Sequence, residues 1–224
     1  MKSIVISIGG SVILSDEADL SYFNNFKDIL KNFSKSYKIF LIVGGGKTAR
    51  FYIKTGRNHN LNEDFLDEIG IDITKVNAKL LAYILGISNK RIPNTTDEAI
   101  AIDSHIVIMG GTTPGHSTDL VGAELAEKIN AYKFLIATNV DGVFDKDPNK
   151  YSNAKQFKEI KVKQLLKKFG SDWNKAGKNI VIDGPALKII NRAEIPTFVF
   201  NGKKLDQLEN IINNKKFNGT IIKI

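Results

Sequence analysis

An apolar run, Lys38-Ile39-Phe40-Leu41-Ile42-Val43, stops at three glycines, Gly44-Gly45-Gly46, and the cations Lys47 and Arg50 follow directly. Glycines let backbone N–H groups approach an anion without Cβ obstruction. A helix starting there adds the positive end of its dipole, so these residue types in this order make a cradle for phosphate. The plainer alternative is a strand-to-helix turn, for which one glycine is enough. The ending Gly46-Lys47-Thr48 imitates a P-loop, whose pattern needs another glycine five residues before Gly46. That position is Leu41, inside the apolar run, so any phosphate transfer must use a different scaffold.

Two further apolar runs end in the same way. Ile4–Ile8 leads into Gly9-Gly10-Ser11, and Ile106-Val107-Ile108-Met109 into Gly110-Gly111-Thr112-Thr113-Pro114-Gly115-His116-Ser117-Thr118-Asp119. The latter stretch offers hydroxyls, an imidazole and a proline-fixed turn, which suit a ligand with several polar edges, such as a nucleobase. Ser117, Thr118 and Asp119 precede a helical pattern over Leu120–Ile129, and any of the three is a candidate cap. Asp67, one residue past the apolar pair Phe65-Leu66, is either a solvated acid or a site residue. Asp183, closing the run Ile180-Val181-Ile182, lies where open α/β sheets place their sites if that run is a strand. Asp141, Asp145 and Asp147 could hold a divalent cation, but no spacing matches a dedicated calcium loop, and turn chemistry explains most of them.

The elements that must position these groups alternate in type. A strand over Ile4–Ile8 precedes a helix over Asp19–Phe33, and the second strand runs into the glycine triplet. A helix then extends to about Lys54, with Thr55–Asn60 as a loop. Two more helices follow, one around Phe65–Ile69 and one over Asp72–Leu85. Thr95-Thr96-Asp97-Glu98 opens another helix. Further strands are expected at Ile106–Met109, Phe134–Thr138 and Pro196–Phe200, with a short one at Val143-Phe144. Tyr151–Gly170 reads as polar with one amphipathic helix. Helices over about Gly184–Ala193 and Leu205–Ile212 precede an edge strand at Gly219–Ile224. Uniformly apolar strands alternating with helices predict an α/β fold, a three-layer αβα sandwich with a mainly parallel central sheet.

At 224 residues, one domain over 1–224 with one sizeable core is expected. There are no cysteines, which excludes disulfides, thiolate metal sites and cysteine nucleophiles and fits a reducing, cytoplasmic setting. No run is long enough to span a membrane, and the signal-like start is broken by Gly9-Gly10 and by Asp16-Glu17. The net charge of +8 raises nucleic acid as a partner. The lysines, however, are mixed with apolar residues at helical spacing, as in Lys161–Lys168, which describes a solvated helix face, so no nucleic-acid partner is expected.

Phosphoryl transfer asks a protein to align two phosphates, neutralise their charge and exclude water. Backbone N–H groups at Gly9–Ser11 and Gly44–Gly46, with Lys47 and Arg50, could supply this, and an acceptor that is already an anion needs no general base. The motifs Ser7–Ser11, Val43–Arg50, Met109–Asp119 and Thr138-Asn139-Val140-Asp141-Gly142-Val143-Phe144-Asp145-Lys146-Asp147-Pro148, in this order and spacing, resemble the amino-acid-kinase superfamily, and within it archaeal-type uridylate kinase. The resemblance runs to Asn218-Gly219-Thr220, essentially the whole chain.

That resemblance implies transfer of the ATP γ-phosphoryl group to UMP, with Mg2+ held mainly by the phosphates and no dedicated protein metal site. It implies Lys47, Asp119 and Asp183 as catalytic residues. ATP would be held by Gly10, Ser11, Gly46, Arg50, Thr138, Asn139, Phe144 and Asp147. UMP would be held by Gly45, Asp67, Thr112, Thr113, Pro114, Gly115, His116, Ser117 and Thr118. It further implies an acceptor-binding and oligomerisation lobe over about 1–130, an ATP-binding lobe over about 131–224, and a homohexamer built as a trimer of dimers. Two positions depart from the superfamily pattern: Ser7 stands where many members have lysine, and Phe144 where relatives often have tyrosine. Isopentenyl phosphate kinase is the alternative within the superfamily, but its histidine shortly after the glycine triplet is missing here. Acetylglutamate and carbamate kinases fit the Thr112–Thr118 loop poorly, and a non-catalytic nucleotide sensor is the alternative outside enzymes.

Overall fold

The computed structural model describes residues 1–15, 19–170 and 181–224. In chain order its elements are β1 (Lys2–Ile8), α1 (Gly10–Ile13), α2 (Leu20–Phe33), β2 (Tyr37–Val43), α3 (Gly46–Asn58), α4 (Glu63–Leu85), α5 (Thr96–Ala101) and β3 (Ile106–Met109). There follow α6 (Thr118–Lys128), β4 (Lys133–Thr138), β5 (Glu159–Lys161), α7 (Val162–Phe169), α8 (Gly184–Arg192), β6 (Thr197–Asn201), α9 (Leu205–Ile212) and β7 (Gly219–Lys223).

Local chemistry sets most of these bounds. The Asp19 carboxylate accepts the Tyr22 N–H at 2.8 Å and starts α2, which buries Tyr22, Phe26, Leu30 and Phe33 at helical spacing. Asn62 caps α4 through the Phe65 N–H, and Gly86, at φ +63°, ends it. Thr95 caps α5 as the sequence predicts. Nothing between Asn62 and Gly86 interrupts the backbone ladder, so the two helices expected at Phe65–Ile69 and Asp72–Leu85 are a single 23-residue helix.

The sheet order is β3-β2-β1-β4-β6-β7-β5, parallel throughout the described strands except where β7 runs antiparallel to β6. Side chains of β1 and β2 alternate between two cores. Val5, Phe40 and Ile42 pack with α6 and α8 on one face. Ile4, Ile6, Ile8, Leu41 and Val43 pack with α2, α4 and α9 on the other. This is the αβα sandwich expected from the apolar strands. Lys133, buried at the start of β4, gives its ammonium to the carbonyls of Ile211 and Ile212 and, at 2.8 Å, to Asn214 Oδ1, pinning the end of α9.

Four expectations need correction. α3 continues through the stretch Thr55–Asn58 that reads as loop. β7 is not an edge strand: it lies between β6 and β5, and β5, too short for its pattern to register, forms that edge. Val143-Phe144 makes no strand, only an isolated bridge from Phe144 to Gln156. Among described residues no strand leads directly into Asp183, which instead caps α8. Ile180 and the Asp16-Glu17 pair lie outside the described residues.

The chain leaves β1 toward β2 and β3, then returns to β4 on the other side of β1. Loops that diverge in this way open a crevice beyond the carboxyl ends of the strands, at the point where the strand order reverses.

Candidate functional site

That crevice exists. A cavity of about 260 Å³ is lined by the ends of β1, β2 and β4, the start of α3, the inner face of α4 and the loop after β3. Its floor is made of glycine against glycine. A Cβ on Gly10 would lie 2.4 Å from the Gly44 carbonyl oxygen and 2.5 Å from Gly46 N, so the turns after β1 and β2 touch backbone to backbone. Gly46 also has φ +65°, a conformation that only glycine adopts cheaply. Part of the triplet's reason is therefore packing, before any ligand. Ser11 and Arg50 line the same cavity. Lys47 does not: it is exposed on the first turn of α3, outside the cavity wall.

Three acids line the crevice, Asp67, Asp119 and Asp183. Ser117 rather than Asp119 caps α6, its Oγ accepting the Leu120 N–H at 3.0 Å. Asp119, one residue into that helix, is thereby left to the crevice, where the buried Ser7 hydroxyl donates to its Oδ1 at 2.6 Å. Burial pushes the Asp119 carboxyl up to about 7; the neighbouring Asp183 adds to this and the Ser7 hydrogen bond opposes it. Asp183 accepts the Ala186 N–H at 2.8 Å through Oδ1 and the Ser117 hydroxyl through Oδ2. Burial raises its pKa as well, against those two hydrogen bonds and the nearby His116. His116 Nδ1 lies 3.3 Å from Glu124 Oε1.

The loop after β3 is fastened to α4. Asp67 Oδ2 accepts the Gly115 N–H at 2.6 Å, with Gly115 at φ +79°. The buried Thr74 Oγ1 accepts the Gly111 N–H at 2.6 Å. Thr113, His116, Ser117, Thr118 and Asp67 line the cavity, while Thr112, Pro114 and Gly115 form the outer part of the loop behind them.

A second cavity of about 150 Å³ is lined by Phe144 and Asp147 and shares Thr138, Asn139 and Val181 with the first, so the two lie side by side. Asp147 accepts the Asn149 N–H at 2.9 Å and Asp145 the Lys155 N–H at 2.7 Å, both as turn residues. Asp141 is tied by Lys204, Asn201 and Asn218, which hold its carboxyl below the ordinary aspartate range against the opposing effect of burial. The three aspartates thus serve separate turns, and among described residues no group of three or more His, Cys, Asp or Glu is placed to hold a metal.

The two cavities bring together the predicted site residues except Lys47, which is exposed at the rim, and Thr112, Pro114 and Gly115, which belong to the loop after β3 but line neither cavity. The structure adds Ser7, Thr74 and Asn77, which sequence reasoning missed. Ser7 stood out only as a missing lysine, while Thr74 and Asn77 lie three apart on a helix and look like ordinary polar positions.

The chain matches the model of the amino acid kinase family over residues 2–201. It is 44% identical over 229 residues to a uridylate kinase of Methanocaldococcus jannaschii, covering 98% of each chain. It is 40% identical over 222 residues to one of Methanobrevibacter smithii, again covering 98% of each. The crystal structure of uridylate kinase from Archaeoglobus fulgidus superposes with a TM-score of 0.85 at 37% identity, covering 99% of this chain and 100% of that one. With its strand order, its glycine-floored crevice and these relatives, the chain belongs to the amino acid kinase family.

Proposed function

We propose that this enzyme is a UMP kinase, transferring the γ-phosphoryl group of ATP to UMP to give UDP in pyrimidine nucleotide biosynthesis. The observation that carries this reading is the glycine-floored cavity, in which Asp67, Thr113 and His116–Thr118 meet Thr138 and Asn139, with the adjoining cavity of Phe144 and Asp147 beside it. Relatives that share the family over nearly their whole length bear the name uridylate kinase.

In this mechanism the acceptor lobe, about 1–130, holds UMP. Asp67 takes the ribose hydroxyls, Thr112–Thr118 reads uracil, and the Gly45 N–H contacts the acceptor phosphate. The ATP lobe, about 131–224, holds adenosine at Thr138, Asn139, Phe144 and Asp147, with Gly10, Ser11, Gly46 and Arg50 on the phosphates. The acceptor is already an anion, so catalysis is alignment and charge neutralisation. Lys47, at the rim beside Gly46, closes over the transferred group. Asp119 and Asp183 organise the positive groups around it. The crevice carboxylates Asp67, Asp119 and Asp183 form no metal-holding cluster among the described residues, so the donor set fits a magnesium ion that would be ligated mainly by phosphate oxygens and would neutralise their charge.

The exposed side of α4 supports an oligomer. Phe65, Val76, Leu80, Tyr83 and Ile84 form an apolar stripe flanked by Phe51 and Tyr52 of α3, with Tyr83 70% and Val76 62% exposed. A second copy of the chain covers this stripe in the proposed homohexamer, a trimer of dimers acting in the cytoplasm.

A coupled assay with ATP, magnesium and a panel of UMP, CMP, AMP and isopentenyl phosphate tests the reading. ADP release with UMP is expected to exceed that with the others by at least about tenfold; no release with UMP would overturn it.

A further inference from the structure

A trans peptide unit is planar and holds its C=O and N–H on opposite sides, so whatever grips the carbonyl also aims the N–H. Asn77, 4% exposed on the inner face of α4, donates from Nδ2 to Gly44 O at 2.9 Å and to Gly45 O at 3.2 Å. These two carbonyls belong to the peptide units that carry the N–H groups of Gly45 and Gly46. With both oxygens gripped by Asn77, planarity sends both N–H groups away from its amide, and Gly45 and Gly46 themselves line the crevice.

Glycine makes this grip necessary. Cβ atoms on Gly44 and Gly46 would press on Gly10 and one on Gly45 on the Ala49 side chain, and a three-glycine segment has more backbone freedom than any other tripeptide. The Gly45 carbonyl also accepts the Ala49 N–H at 3.2 Å, so the start of α3 and the Asn77 amide converge on one oxygen. A neutral amide donor suits this position because it fixes two carbonyls and adds no charge beneath the phosphates.

We infer that Asn77 is a positioning residue for phosphoryl transfer, which orients the Gly45 and Gly46 N–H groups toward the two phosphates without touching either substrate. The inference rests on the UMP kinase reading. It predicts a loss confined to the phosphate part of a ligand.

The experiment compares UMP with uridine, which lacks the phosphate, as ligands of the parent enzyme and of Asn77→Ala and Asn77→Ser, with thermal unfolding of each ligand-free protein as the folding check. In Asn77→Ala, UMP affinity is expected to fall about tenfold and kcat to fall with it, while uridine affinity changes less than about twofold. Asn77→Ser, which keeps one donor, is expected to lose about threefold for UMP. Equal losses for UMP and uridine, or a folded Asn77→Ala with parental UMP affinity, would overturn the inference. If Asn77→Ala does not fold, the UMP-to-uridine ratio in Asn77→Ser decides alone, and an unchanged ratio would overturn it. A parent enzyme that binds no UMP would instead refute the UMP kinase reading itself.

Discussion

Asp67 has two carboxylate oxygens, and the fold uses one of them. Its Oδ2 accepts the Gly115 N–H, so the residue proposed for the ribose also holds the loop proposed for uracil. The two roles separate by mutation. Asp67→Asn keeps an acceptor for Gly115 and should raise KM for UMP about tenfold while KM for ATP stays within about twofold. Asp67→Ala loses both and should cost more. Steady-state kinetics with each substrate varied in turn reads this, and equal effects on the two KM values would count against the ribose role. Asp119 gives a pH prediction. Its folded pKa, about 7, lies above the ordinary aspartate value of 3.8. If the ionised form organises the reaction, kcat/KM should fall as pH drops through about 7, and Asp183→Asn, by removing a neighbouring negative charge, should move that limb to lower pH. Between 3.8 and 7 the folded state binds a proton that the unfolded state has lost, so this group's contribution to stability declines as pH rises through that window. Asp119→Asn should therefore raise the Tm of the ligand-free enzyme at about pH 8 while impairing turnover. At the rim, Lys47→Met should lower kcat with little change in KM; an unchanged rate would remove Lys47 from the machinery.

The crevice is where several elements meet, and its glycines divide by what surrounds them. Gly10 lies against the backbone of the turn after β2, with no room for a methyl group. Gly10→Ala should destabilise the enzyme by about 3 kcal/mol, or about 6–12 °C in Tm at this length. Gly115 has nothing within 4 Å of where a Cβ would stand, and only its positive φ disfavours a side chain. Gly115→Ala should cost about 1 kcal/mol of stability yet disturb UMP binding through the Asp67 tie. Differential scanning calorimetry beside UMP titration separates the two; a larger Tm loss in Gly115→Ala would reverse the assignment. The 23-residue α4 is the element that unites the acceptor side. Asp67, Thr74 and Asn77 leave it to hold, respectively, Gly115, Gly111 and the Gly44-Gly45 carbonyls.

For the whole molecule, the same α4 has two faces with different roles. Its inner face holds the site, and its outer face bears the apolar stripe from Phe65 to Ile84. If the proposed homohexamer forms through this stripe, Leu80→Glu with Tyr83→Glu should yield smaller species by light scattering, because burying unpaired carboxylates in an interface is costly. An unchanged mass would place the interface elsewhere. Because α4 also carries Asp67, Thr74 and Asn77, the split enzyme is expected to lose UMP affinity before ATP affinity.

Much of this architecture is legible in the residue order. Uniform apolar strands imply burial on both faces, hence a parallel sheet between helix layers. Glycine-ended strands mark the crevice, and the order and spacing of four motifs carry the family resemblance. These properties are local, set within a few residues along the chain by period, propensity and turn chemistry. Other features depend on residues distant in sequence meeting in space, which no local pattern encodes. Ser7 meets Asp119 only because β1 lies beneath α6, and Asn77 meets the glycine triplet only because α4 folds back over the turn after β2. The placement of β7 inside the sheet follows from pairing with β6 and β5, and the meeting of Asp183 with Ser117 from α8 packing beside α6. The residue types thus determined which chemistry was available, and the long-range packing decided which groups are aimed, buried and charged to carry it out.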